Sequence, residues 1–192
     1  MKPFVRVTGR AAVLDRADVD TDQIVPKQFL KAIDREGFAR ALFFDWMKDP
    51  DFELRQPEAQ GTKILLAGAN FGCGSSREHA TWAILDYGFE AVVAPSFGDI
   101  FRTNATKVGL LPVTLPSEQV KALMDRARAG EELTVDLEER TAGGFPFDID
   151  ESTRHRLLAG LDDIASTLQL DDEITAFEAA NPAQISTTAL AV

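Results

Sequence analysis

Apolar positions along the chain alternate between short continuous runs and a spacing of three to four residues, and each change marks a predicted element. Residues 4–14 read as short strands broken at Gly9-Arg10, and residues 15–22 as an acidic loop. Residues 26–33 and 35–44 carry apolar side chains at helical spacing (Phe29, Leu30, Ile33, then Phe38, Ala41, Leu42), with Gly37 weakening the second segment. Residues 45–61, with two prolines and mixed charge, read as a connection. Residues 62–67 are expected as a buried strand, and after a glycine-rich stretch residues 80–87 return to a helical pattern. Then come a strand over 90–94, a helix over 97–107 ending at Gly109, and a strand over 111–115 closed by Pro116. Ser117 as N-cap opens a helix over 118–129 that stops at Gly130. Residues 133–137 and 145–149 read as a late strand pair around Gly143-Gly144, and 151–159 and 171–180 as helices. Asn181-Pro182 and the Ser/Thr/Ala-rich end predict a poorly ordered tail. Strands alternating with helices predict an α/β fold with helical crossovers, residues 1–170 forming one domain and 171–192 a C-terminal helix and tail.

Composition narrows the function classes. With 192 residues, 45% of them hydrophobic, the chain can bury a sizeable core. A formal net charge of -11 argues against nucleic acid or an anionic membrane as partner, since both require basic patches. No basic and apolar leader and no run of membrane-spanning length occur, so a soluble, cytoplasmic protein is expected. The single cysteine, Cys73, excludes an internal disulfide and a self-contained iron-sulfur cluster, and the two histidines are too far apart for metal-ligand spacing.

The densest chemistry lies in Gly68-Ala69-Asn70-Phe71-Gly72-Cys73-Gly74-Ser75-Ser76-Arg77-Glu78-His79, which reads as strand, glycine loop and helix start. Such a loop aims unpaired N–H groups at an anion, and the fork of Arg77 suits a carboxylate or phosphate. Ser75 and Glu78 also fit a capping box, a purely structural role for Ser75. The loop lacks the Gly-Lys-Ser/Thr of a Walker A motif, the third glycine of a dinucleotide fingerprint and the second glycine of a nucleophile elbow. His79, four residues after Ser75, would share its helix face and could relay a proton, although a satisfied helix-start histidine is the commoner case. Cys73 at a helix start could gain thiolate character, or be simply a small loop residue.

The run Asn70-Phe71-Gly72-Cys73-Gly74-Ser75-Ser76-Arg77-Glu78-His79 resembles the signature of the isopropylmalate isomerase (3-isopropylmalate dehydratase) small-subunit family, which is related to the C-terminal domain of aconitase. The resemblance extends to Asp20-Thr21-Asp22-Gln23-Ile24-Val25-Pro26-Lys27-Gln28-Phe29-Leu30, Pro95-Ser96-Phe97-Gly98-Asp99-Ile100-Phe101, Gly109-Leu110-Leu111-Pro112 and Gly160-Leu161-Asp162-Asp163-Ile164, in family order. It implies a swivelling β/β/α domain acting as the small subunit of a heteromeric hydro-lyase in leucine biosynthesis. In that family Ser75 would be the base at the carbon-bound proton, Ser76 and Arg77 would hold a substrate carboxylate, and Asp22 and, more weakly, Thr21 would contact the site. The resemblance also implies that a [4Fe-4S] cluster is held by a separate large subunit, so that this chain itself binds no metal.

Residues 26–35 are expected over the part of the substrate that varies within the family. Phe29-Leu30 suits an isopropyl group, whereas Lys27 and Lys31 would favour an acid. The further substrate-binding arginine of aconitases has no secure counterpart among Lys27, Lys31 and Arg35, and no role is assigned to Arg102-Thr103-Asn104-Ala105. Two rivals stand beside this assignment: a paralogous dehydratase acting on another substituted malate, and a stand-alone anion-binding regulatory module.

Overall fold

In the computed structural model, which describes residues 1–30 and 37–181, the chain enters two sheets in its first fourteen residues. Strand β1 (Arg6–Gly9) and strand β2 (Ala11–Leu14) are separated by Arg10 alone, yet β1 belongs to an antiparallel sheet and β2 to a parallel one. A one-turn helix α1 (Thr21–Ile24) follows, then a run of 3-10 turns up to residue 59. Strand β3 (Ile64–Ala67), helix α2 (Glu78–Tyr87), strand β4 (Ala91–Ala94), helix α3 (Asp99–Val108) and strand β5 (Leu111–Thr114) form the predicted crossovers. Helix α4 (Ser117–Arg128) leads to β6 (Leu133–Asp136), β7 (Thr141–Ala142) and β8 (Phe145–Pro146), and α5 (Glu151–Ala159), α6 (Asp163–Leu168) and α7 (Asp171–Ala180) complete the described chain.

The parallel sheet runs β2-β3-β4-β5 and the antiparallel sheet β1-β6-β7-β8. Period-two alternation along the parallel strands builds two cores at once. Leu14, Leu65, Ala67, Val92 and Ala94 pack with Ala83 and Ile84 of α2 and Phe101 of α3. Their neighbours Ile64, Leu66, Ala91, Val93, Leu111 and Val113 pack with Val7, Leu133 and Val135 of the other sheet and with Val120 and Leu123 of α4. The parallel sheet is therefore the middle layer of a β/β/α sandwich. This explains why every residue of β3 and β4 is buried and why they read as continuous apolar runs. Pro112 sits in β5, an outer strand of the sheet, where a missing N–H is tolerated.

Several elements depart from the sequence expectation, each for a physical reason. The acidic loop over 15–22 closes with α1, because the Asp20 side chain accepts the N–H of Gln23 and the Gln23 side chain accepts the Asp20 N–H in return. The helical spacing after Pro26 yields only 3-10 turns at Lys27–Phe29 and Phe38–Ala41; Ile33, Lys31 and Arg35 lie outside the described residues. Gly37 is left-handed (φ 80°), Phe43 has φ 46°, and the Phe43 N–H donates to the Ile24 carbonyl at 2.8 Å, so tertiary bonds replace a helical ladder. Phe43 stacks on Trp46 (5.2 Å) and meets Phe52 edge-on, and Arg16 lies over Trp46 while its guanidinium forks onto Glu53. Ser117 is already helical, with Pro116 at the cap position. β6 does not pair with β8: β7 intervenes, and the hairpin at Gly143-Gly144 joins β7 to β8. α6, unforeseen, starts where Asp162 caps Ala165 at 2.7 Å. The predicted tail over 182–192 lies outside the described residues.

The loops leaving β2, β3 and β4 meet at the carboxyl end of the parallel sheet. Gly98 approaches so closely that a Cβ there would stand 2.6 Å from the Gly72 carbonyl oxygen, and Gly72, at φ 72°, faces the Phe101 ring where a Cβ would collide. Gly72→Ala is expected to cost roughly 2–4 kcal/mol, combining overpacking with a left-handed backbone. Gly88→Ala, at φ 115° with nothing within 4 Å, should cost only about 1 kcal/mol. Urea denaturation of the two variants checks this, and equal losses would show that the Phe101 contact carries no strain.

Candidate active site

Backbone hydrogen bonds lace the three loops together. The Gly72 and Cys73 N–H groups both donate to the Val19 carbonyl (2.7 and 3.3 Å), and the Thr21 N–H donates to the Cys73 carbonyl at 3.0 Å. On the other side the Phe71 N–H donates to the Ser96 carbonyl at 3.0 Å, and the Gly98 N–H to the Phe71 carbonyl at 2.9 Å. Asn70, left-handed at φ 58°, donates its amide to Asp18 Oδ1 and its backbone N–H to Ser96 Oγ, each at 2.8 Å. Asn70, Asp18 and Ser96 were not singled out from the sequence. The available signal was an Asn three residues beyond the end of a buried strand, since Asn and Asp adopt the left-handed region more readily than most residues.

Ser75 and Ser76 are exposed at the end of this lacing, and the capping box expected of Ser75 and Glu78 does not form. α2 begins only at Glu78, with Arg77 at the cap position and no side-chain cap bond. Beneath Ser75 lies Thr21, 2% exposed, whose hydroxyl donates to the Ser75 carbonyl at 2.9 Å. Thr21 is thus spent on holding the serine backbone, not displayed to a ligand. The Arg77 side chain is 9% exposed, pairs with Asp22 Oδ1 at 2.5 Å, and donates to the Val25 carbonyl at 3.3 Å. Of the residues predicted for the site, the structure brings together Thr21, Asp22, Ser75, Ser76 and Arg77.

The other predicted residues are placed differently. Because α2 starts at Glu78, His79 does not share a helix face with Ser75; its ring packs against Phe38 (5.2 Å) and Trp82 (4.6 Å). Phe29 and Leu30 are half-buried against the core beneath the α layer, with Phe29 edge-on to Phe44 at 5.0 Å. The thiol of Cys73 is pushed above its ordinary value by burial first, then by the charges of Asp20 and Asp18, which is the reverse of helix-start activation. Among the described residues no group of three or more His, Cys, Asp or Glu could hold a metal ion. A cavity of about 350 Å³ lies along β2, lined by Arg10, Asp15, Glu53 and Arg128 and by no residue of the 68–79 stretch. The site is an open platform, with two hydroxyls beside a guanidinium whose Nη1 pairs with one carboxylate.

Residues 1–118 match the aconitase C-terminal domain family, and residues 163–184 match the family of C-terminal domains of 3-isopropylmalate dehydratase small subunits. The chain is 54% identical to the 3-isopropylmalate dehydratase small subunit of Rubrobacter xylanophilus, over 95% of this chain and 96% of that one. It is 57% identical to the protein of the same name from Clavibacter michiganensis subsp. michiganensis, over 93% and 90%. The crystal structure of 3-isopropylmalate dehydratase from Methanocaldococcus jannaschii superposes with a TM-score of 0.66 at 29% identity, covering 90% of this chain and 99% of that one.

A raised thiol pKa leaves less thiolate at a given pH, so Cys73 should react with iodoacetamide at pH 8 more slowly than free cysteine. Asp20→Asn, which can still cap α1, should speed the reaction by removing one of the two charges. Alkylation followed by mass spectrometry checks both, and a rate above that of free cysteine would contradict the assigned environment.

Proposed function

Because the chain belongs to the family of 3-isopropylmalate dehydratase small subunits, we propose that it is one half of a heteromeric hydro-lyase. The reaction interconverts 2-isopropylmalate and 3-isopropylmalate by dehydration and rehydration in leucine biosynthesis. The observation that carries this assignment is identity above 50% to relatives of that name over at least 90% of each chain. The open platform at Ser75 is what half of a shared site should look like.

In this assignment the Ser75 oxygen, as the alkoxide, takes the carbon-bound proton to become the hydroxyl and gives it back on rehydration, while Ser76 and Arg77 hold a substrate carboxylate. Arg77 is already paired with Asp22, so the incoming carboxylate exchanges with or joins one that is present, and the guanidinium is never left bare. Thr21 fixes the Ser75 backbone from below. A serine hydroxyl is a poor base in water, so the platform works only once a partner covers it and excludes solvent.

The residues of this chain do not fit an iron-sulfur cluster: Cys73 is the single cysteine. The large subunit is proposed to bring the [4Fe-4S] cluster, whose chemistry is Lewis-acid assistance to loss of the substrate hydroxyl. No described helix is long and apolar enough to cross a membrane, and the cytoplasm is the proposed compartment.

Since Ser75 caps no helix, Ser75→Ala should leave the melting temperature of the chain nearly unchanged. In the assembled enzyme it should lower kcat by about two to four orders of magnitude. Melting curves and steady-state kinetics on the same preparations decide the matter, and near-normal turnover would remove Ser75 from the chemistry. Half-buried Phe29 and Leu30 are proposed to face the isopropyl group, where each buried methylene is worth about 0.8 kcal/mol. The wild-type enzyme should then prefer isopropylmalate to citrate, and Leu30→Arg should narrow the kcat/KM ratio mainly by weakening isopropylmalate turnover. An unchanged ratio would take this segment out of substrate selection.

A further inference from the structure

We propose that residues 163–180 form a docking arm for the large subunit, with an apolar stripe of Ile164, Leu168, Leu170, Ile174 and Phe177 seated in an apolar groove that has a basic rim. The proposal rests on the functional assignment above and goes beyond it by locating a contact away from the catalytic platform. Among the described residues seven large apolar side chains are exposed, and these five are the majority. Ile164 and Phe177 are 73% and 68% exposed, and every residue of α7 is exposed. Leu170, Ile174 and Phe177 fall at i, i+4 and i+7, one stripe of a helix, and Ile164 and Leu168 repeat the i, i+4 step on α6. An isolated ten-residue helix is marginal in water, so such a stripe is worth its exposure only if something covers it.

Three observations select the large subunit as the occupant. First, residues 163–184 match a domain particular to the dehydratase small subunits, whereas the aconitase C-terminal domain match ends at residue 118. A small subunit that is a separate chain lacks the effective concentration of a tethered domain and must replace it with binding surface. Second, α7 carries Asp171, Asp172, Glu173 and Glu178 and no base, in a chain of net charge -11. Two such helices face to face would set acid against acid, which disfavours a second copy and favours a basic rim. Third, the root of the arm is fastened at Asp163 by Arg156 (3.1 Å) and Lys107 (3.6 Å), near the end of α3. That end lies about 15 Å along the helix from the Gly98 loop, at 1.5 Å per residue. The arm is therefore rooted at the opposite end of α3 from the Gly98 loop, away from the loops that carry Ser75.

The test uses the full chain and its cognate large subunit. The double variant Leu168→Glu with Phe177→Glu should weaken the Kd of the pair at least tenfold by sedimentation equilibrium. The melting temperature of the free chain and kcat at saturating variant should both stay within error of wild type. Asp172→Lys with Glu173→Lys should also weaken the pair and flatten its salt dependence. A Kd within twofold of wild type for the glutamate double variant overturns the arm. So does a wild-type chain that self-associates through the stripe, losing its dimer but not its partner affinity in the variant. Failure of wild type to bind the large subunit at all would instead overturn the functional assignment on which the arm rests.

Discussion

The carbonyl of Val19 is the point on which the functional end of this molecule turns. It receives the N–H groups of both Gly72 and Cys73, and through that shared acceptor the loop after β2 and the loop after β3 become one ribbon. The Phe71 bonds to Ser96 and Gly98 add the loop after β4. Without these bonds three irregular segments would each carry unpaired backbone groups at the sheet's carboxyl end, and Ser75 would sit on a mobile loop. With them, exposed hydroxyls stand on a rigid base, which catalytic geometry requires.

The same ribbon explains the state of Arg77. Its guanidinium is mostly shielded from water and would be costly to leave unpaired, so Asp22 on the neighbouring loop supplies the counter-charge in the free subunit. Asp22 is 44% exposed and sits on one turn of helix held by the Asp20–Gln23 capping box, close enough to guide the arginine yet open to exchange. The loop cluster thus keeps the charge of Arg77 balanced within the chain itself.

Dividing an enzyme between two chains places two demands on the smaller one. It must present a pre-set surface at the catalytic face, which the sheet and its laced loops do, and it must find its partner without a covalent tether. In the proposed docking arm, the acidic character of the chain and the exposed stripe on α6 and α7 would meet the second demand with side chains other than those of the platform. Binding energy and catalytic geometry can then be adjusted separately, because the two regions share no side chains.

Much of this was legible in the residues. Strands buried on both faces announce themselves as continuous apolar runs, so β3, β4 and β5 could be read locally. Gly109 ends α3 where a left-handed residue was expected. What local pattern could not supply was every feature fixed by a distant partner. β1 and β2 look like one interrupted strand, but which sheet each joins depends on β6 and β3, more than fifty residues away. Ser75 and Glu78 spell a capping box, yet pairing with Val19 and Thr21 holds residues 72–75 in a non-helical loop, with Gly72 and Gly74 left-handed, and delays the helix to Glu78, which also removes His79 from the serine's face. The helical spacing near Phe38 and Leu42 is real, but Ile24 and Asp86 take up the N–H groups of Phe43 and Phe38 and leave only turns. The sequence by itself determined which residues are apolar, which can cap and which carry chemistry. Only the tertiary structure decided which backbone groups those residues satisfy, because a hydrogen bond forms with the nearest partner in space, and sequence spacing does not measure that distance.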